Sequence, residues 1–368
     1  MDSRIEKMAD VLINYSTAVQ PGERVLIRST GPAAEPLVQA LYQAALKAGG
    51  ETFTYIHLRD EDSLAIDATG NLDLLAAVNP MLELMYENFD VIIRIEASEN
   101  PRSLSEYPAE PQRARAQASS ALMKIQMERE GNGSLRRCTT QFPTQGYAQA
   151  AGMSLQQYET FVYEACKVHL ADPVAAWQNI RETQQRLVDY LTGKETLYVR
   201  SGNINLELSI KGRTFLNCYG DANFPDGEIF TGPVEDSVNG WVNFTYPTYV
   251  GGNEVAGIKL TFENGLVTVA TAEKNEAYLL HRLDTDPGAR RLGEFAIGTN
   301  NDIQRFSGSI LFDEKIGGTV HMALGQGYPQ SGSTNTSAIH WDLICDMRDG
   351  GEILVDDELF YENGKFLV

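Results

Sequence analysis

Apolar positions in the first hundred residues change period several times. Ile5, Met8, Leu12 and Tyr15 recur at helical spacing and predict an amphipathic helix. Val25-Leu26-Ile27, inside GERVLIRST, is short and continuous and predicts a strand. Residues 33–48 return to the helical period and end on Gly49-Gly50, which can supply a left-handed cap. ETFTYIH predicts the next strand, residues 72–88 a helix and residues 90–97 a third strand. Strands and helices alternating at this spacing predict a parallel sheet with right-handed crossovers. A helical middle follows over 112–130. Next come a helix capped by Ser154, with Gln157 at the capping-box position, and one opened by Asp172-Pro173 and closed before Gly193.

Beyond Thr196 the pattern turns to short strands and tight turns. Hairpins are predicted about Lys211-Gly212 and about the Asn-Gly turns of IKLTF-ENG-LVTVAT and ELFY-ENG-KFLV, with one helix over 275–283. The fold expected is an α/β N-terminal domain with a parallel sheet, residues 1–193, followed by a β-rich α+β C-terminal domain, residues 194–368. A chain of 368 residues is long enough for two such domains. Trp177, Trp241 and Trp341 read as core anchors, and His57, His169 and His281 as structural side chains.

Charge then narrows the function classes. Asp+Glu 50 against Lys+Arg 30 gives a net charge of -20, which disfavours a nucleic-acid binder that must displace counterions from phosphates. Four scattered cysteines without a C-x-x-C pair predict reduced thiols and a cytoplasmic address. The opening MDSRIEKMADVLINY lacks the apolar core of a signal peptide, and no apolar run of about 18 residues predicts a membrane span.

The candidate chemistry lies late in the chain. No H-E-x-x-H, G-x-S-x-G, P-loop or dinucleotide-binding glycine motif occurs. Residues 316–341, IGGTVHMALGQGYPQSGSTNTSAIHW, are 26 positions without an Asp, Glu, Lys or Arg, and they hold five glycines and two of the five histidines. Close packing around a buried pocket accounts for both features. In the IHWDLIC strand that follows, His340 and Asp342 point to one face while Ile339, Trp341 and Leu343 point to the other. TVHMAL places His321 on a similar strand. Upstream, Glu228 in FPDGEIFTGP and Glu294 in RRLGEFAIGTN are acids set into apolar stretches, where an unpaired carboxylate is costly. Two imidazoles and three carboxylates, Glu228, Glu294, His321, His340 and Asp342, suit a site for two divalent ions such as zinc, cobalt or manganese.

In order and context, GEIFTGP, EDSVNG, LGEFAIGTN, HMALGQGYP and TNTSAIHWD resemble the aminopeptidase T family of dinuclear metallo-aminopeptidases, and NYSTAVQPGERVLI and ALYQAALKAGG resemble that family's N-terminal domain. The resemblance implies metal ligands at Glu228, Glu294, His321, His340 and Asp342, with Glu294 bridging two ions. It also implies an active-site role for Tyr328, which would donate to the developing oxyanion. The function it implies is release of N-terminal amino acids from short peptides that carry a free N-terminus. It further implies a metal-bearing C-terminal domain and a homodimer enclosing its active sites. Nucleic acid and membrane are not expected partners. The general base is left unassigned, with Glu235 as a candidate. The alternatives are a non-catalytic peptide-binding protein of the same fold, or a metallo-hydrolase of another small amide.

Overall fold

The computed structural model describes residues 2–368. By internal contacts the chain divides into two units, residues 1–176 with 220–225, and residues 177–219 with 226–368. The expected boundary after Gly193 differs from this division for a physical reason. The helix Pro173–Leu191 turns Leu187, Val188 and Leu191 into the core of the second unit.

The first unit is built on a five-stranded sheet in the order Glu51–Ile56, Arg24–Ser29, Val91–Glu96, Arg136–Gln141, Asn223–Phe224. Every neighbouring pair is parallel, as the alternation of strands and helices requires. Val25, Leu26, Ile27, Ile92 and Ile93 are withdrawn from water, consistent with a sheet covered by helices. Leu26 and Ile92 pack with Leu82, Tyr86, Phe89, Leu122 and Leu135 into one cluster.

Several expectations need correction here. Residues 72–88 are not one helix. Leu72–Leu75 ends early, and Pro80–Asn88 starts afresh with Asn79 accepting from the amides of Met81 and Leu82. The residue before a proline avoids helical geometry, so Asn79-Pro80 acts as a helix start. A helix at Glu61–Ala68 and the strand Arg136–Gln141 were not anticipated. The Ser154 cap with its Gln157 partner forms as expected.

The second unit holds two large antiparallel sheets and a two-stranded one, Thr248–Val250 with Asn253–Val255. The eight-stranded one contains both Asn-Gly hairpins, Lys259–Glu263 with Leu266–Thr271 and Glu358–Glu362 with Lys365–Phe366. No hairpin forms about Lys211-Gly212. The chain turns there, but Ile204–Ser209 stays in the eight-stranded sheet while Leu216–Cys218 joins the other one. Trp241 is at the surface, unlike the buried Trp177 and Trp341. The other sheet has the order His340–Asp346, Thr319–Gly325, Leu292–Gly298, Glu228–Thr231, Leu216–Cys218. Its inner face, with Ile229, Phe295, Ile297, Val320, Met322, Leu324, Trp341 and Leu343, forms part of the unit's core.

Leu26→Ala is expected to destabilise the first unit by about 2–5 kcal/mol through lost burial and a residual cavity. Urea denaturation followed by circular dichroism would show it. An unchanged midpoint would mean that this cluster does not hold the unit together.

Candidate metal centre

In the second unit, the sheet running from His340–Asp346 to Leu216–Cys218 carries all five candidate ligands on its face opposite the core. Glu228 stands on Glu228–Thr231, Glu294 on Leu292–Gly298, His321 on Thr319–Gly325, and His340 and Asp342 on His340–Asp346. Pairing leaves room for them, because each lies across the ladder from a small residue. Glu228 faces Gly298, Glu294 and Asp342 face Ala323, His321 faces Ala296, and His340 faces Gly325. Two glycines do more than leave space. Gly227 has φ +121 and a Cβ there would lie 2.8 Å from Asn300, and Gly325 has φ +100 with the Ile339 carbonyl 2.2 Å from the position of a Cβ. A side chain at either would shift the backbone that presents a ligand.

The sequence-predicted residues converge around Glu294. Its Oε1 lies 3.2 Å from His321 Nε2 and its Oε2 lies 3.6 Å from His340 Nε2. Glu228 Oε2 completes the first group, 3.4 Å from His321 Nε2, and Asp342 Oδ1 completes the second, 3.4 Å from His340 Nε2. Two triads, Glu228–Glu294–His321 and Glu294–His340–Asp342, thus share one carboxylate, and each offers ligand atoms close enough to hold one ion. The first triad is buried, whereas the His340 side chain is 28% exposed and that of Asp342 13%, so the centre opens to solvent on their side.

Outer contacts fix the ligands. His340 donates from Nδ1 to the Gln326 carbonyl at 2.8 Å, which turns Nε2 towards the carboxylates. Lys315, almost fully buried, donates to Glu228 Oε1 at 2.5 Å and also pairs with Asp226 at 3.4 Å and Glu314 at 2.8 Å. Glu228 Oε2 is left withdrawn from water with no hydrogen-bond donor, as is His321 Nδ1. A buried carboxylate oxygen facing an imidazole nitrogen and a second carboxylate, with no donor of its own, fits a cation.

Electrostatics point the same way. Burial alone would depress both imidazoles, but the facing carboxylates outweigh it. Glu228 and Glu294 push His321 up to about 9, and Asp342 pushes His340 up to about 10. Burial holds the Glu228 carboxyl above its usual range against the pull of Lys315 and His321, while Asp342, despite its burial, is held low by His340. Without metal, the cluster retains protons that free side chains would release.

Tyr328 presents its ring to His340 in an edge contact at 5.3 Å and to Phe230 at 5.2 Å, on the open side. Glu235 is engaged at both oxygens. Arg213 donates at 2.5 Å to one, and the Thr334 amide at 2.6 Å to the other, so it clamps the 333–334 loop. Burial would raise its carboxyl, yet the hydrogen bonds from Thr334 hold it low. Sequence reasoning missed Lys315, because Asp-Glu-Lys before Ile316 looks like a solvated turn. Only the burial of its neighbours reveals its place.

In protein prepared free of metal, the imidazoles' raised protonation stabilises the fold fully below about pH 6.5, their unfolded value. That stability is lost as pH rises through 9 to 10. For His321 the loss is on the order of 3 kcal/mol. Urea midpoints of chelated protein from pH 6 to 10 should fall, and added divalent metal should flatten the trend. A flat profile without metal would contradict this charge arrangement.

The model of the thermophilic metalloprotease (M29) family matches residues 1–366. Aminopeptidase 2 of Geobacillus stearothermophilus is 29% identical over 393 residues, covering 95% of this chain and 93% of the relative. Aminopeptidase T of Thermus thermophilus is 28% identical, covering 98% of this chain and 95% of the relative. Among solved structures, wild-type AmpT from Thermus thermophilus aligns with TM-score 0.84 at 25% identity, covering 99% of each chain. A 2,5-dihydroxypyridine dioxygenase from Pseudomonas putida KT2440 aligns with TM-score 0.59 at 14% identity over 99% of this chain and 97% of its own, a likeness of fold alone.

Proposed function

The chain belongs to the thermophilic metalloprotease (M29) family, and from that membership and the geometry of the centre we propose a metallo-aminopeptidase that uses two divalent ions. It would release the N-terminal amino acid from short peptides. The observation that carries this reading is the sharing of Glu294, one oxygen turned towards each histidine-containing triad. Glu228 and His321 would hold one ion, His340 and Asp342 the other, and Glu294 both. Zinc, cobalt and manganese all suit this mixed nitrogen and oxygen set. Metal bound here supplies Lewis acidity, lowering the pKa of water towards about 7 and polarising the scissile carbonyl.

The chain's own residues do the rest. Lys315 occupies Glu228 Oε1 and so keeps Oε2 turned inward, and the Gln326 carbonyl holds His340 in one tautomer. Tyr328, beside His340 at the open side, is positioned to donate its hydroxyl proton to charge growing on the substrate oxygen. That interaction strengthens as the transition state is approached. The family resemblance also leads us to infer a homodimer. Four scattered cysteines, three of them buried, support a reducing, cytoplasmic setting. Among the described residues no helix is long and apolar enough to cross a membrane.

Elemental analysis, with hydrolysis of a leucyl chromogenic substrate before and after chelation and metal return, tests the reading. About two ions per chain, with activity lost and restored, are expected. Glu294→Gln should lower both metal content and activity. Tyr328→Phe should keep the metal and lower kcat by roughly 10²-fold with little change in KM. Absence of bound metal, with no turnover in added zinc, cobalt or manganese, would leave a peptide-binding protein instead.

A further inference from the structure

The first unit contains a second polar site that the peptidase reading does not use. A cavity of about 310 Å³ lies at the carboxyl ends of Arg24–Ser29 and Val91–Glu96. In the strand order these are the two central neighbours between which the connections diverge. The chain leaves Arg24–Ser29 for Glu51–Ile56 on one side, and Val91–Glu96 lies on the other. Open parallel sheets bind ligands in the crevice at this switch point.

Two arginines form its floor. Arg28 and Arg94 are register partners on adjacent strands, so both guanidinium groups project on the same face. Arg28 is held in place: Nε donates to His57 Nε2 at 3.1 Å and Nη1 to the Tyr86 hydroxyl at 2.8 Å. Burial and the Arg28 charge both lower the His57 pKa, which suits an imidazole acting as acceptor. Arg94 pairs with Glu96 through Nη2 at 2.7 Å, yet its Nε is withdrawn from water and donates to nothing. Carboxylates stand around these cations: Glu96 pairs with Arg94, Glu61 with His57 and Arg115, and Glu99 with Arg59, all lining the cavity.

A nucleotide phosphate does not fit. Such a ligand needs free amides in a glycine-rich turn at a helix start. Here the Thr30 amide donates to the Ile95 carbonyl, the Gly31 amide faces Ser29 Oγ at 3.4 Å, and Pro32 has no amide to offer. The volume is also at the low end of small-molecule sites, roughly 300–1,000 Å³. What remains is a pair of guanidinium groups held by His57, Tyr86 and Glu96 whose other N–H groups suit a carboxylate, ringed by acids that already pair with cations and whose further lone pairs suit an ammonium.

We propose that this cavity binds a free α-amino acid, its carboxylate on Arg28 and Arg94 and its ammonium on the surrounding glutamates. The site lies wholly within the first unit, and the proposal does not depend on the metal chemistry above. If both hold, the site would take the product class of the enzyme.

Titration calorimetry of the full-length, metal-loaded protein with a panel of L-amino acids, acetate and inorganic phosphate tests it. At least one amino acid should saturate with Kd below about 1 mM, an affinity near −4 kcal/mol. Arg28→Met and Arg94→Met should each weaken it at least tenfold, and Glu294→Gln should leave it unchanged. Hydrogen exchange on the unmodified protein guards against misfolded variants, and the ligand should protect amides within residues 28–32 and 94–99. The proposal is overturned by no saturation at 20 mM, by acetate or phosphate binding as tightly as the amino acid, or by loss of binding in Glu294→Gln alone. Protection confined to the metal-centre strands would also overturn it.

Discussion

Three carboxylates and two imidazoles crowded on one face of a largely buried sheet are the constraint around which the second unit is organised. Carboxylates withdrawn from water repel one another unless positive charge stands between them. Lys315 supplies part of that charge from behind, and the imidazoles supply more by keeping protons. The Ala and Gly positions opposite each ligand follow from the same demand. A larger side chain at Ala323 would intrude where Glu294 and Asp342 face it, and one at Gly298 would collide with the Ile316 backbone. The other face of these strands is free to be wholly apolar, and it joins the core.

The candidate site was legible from the sequence because its proposed ligands are chemically out of place. A charge-free run ending in His-x-Asp and acids embedded in apolar strands are unusual enough to note singly, and together they converge on five positions that the fold brings into one cluster. Asn264-Gly265 and Asn363-Gly364 announced their hairpins because both residues of each pair take left-handed φ. What was hidden depends on partners that local pattern does not carry. Arg136–Gln141 has no alternating apolar signal. Its buried Thr140 is satisfied by the distant Phe224 carbonyl, and Gln141 by the Tyr158 hydroxyl. Gly212 makes a turn, but nothing near it says that the two flanking strands part into different sheets. Lys315 reads as an ordinary surface lysine until the fold surrounds it with acids.

The two units solve a common problem differently. In the two parallel strands that frame the cavity, Arg28, Arg94 and Glu96 follow an apolar start. In the antiparallel sheet they sit mid-strand, because alternation assigns a whole face to them. The first arrangement gives a cavity at the carboxyl ends of central strands, the second a floor of charge across the sheet.

In the ligand-bearing sheet the strands that carry Glu228, Glu294, His321 and His340 lie side by side in chain order, but a long insertion separates the first from the second. Only His321, His340 and Asp342 are near neighbours in sequence. Glu294 and above all Glu228 must be brought in from afar, across the eight-stranded sheet's insertion. Contacts so distant in sequence close late in folding. The chain therefore has no complete cation site to offer until these strands have paired, and an ion held there would add a cross-link to strands already joined by their ladder and by the apolar core beneath them.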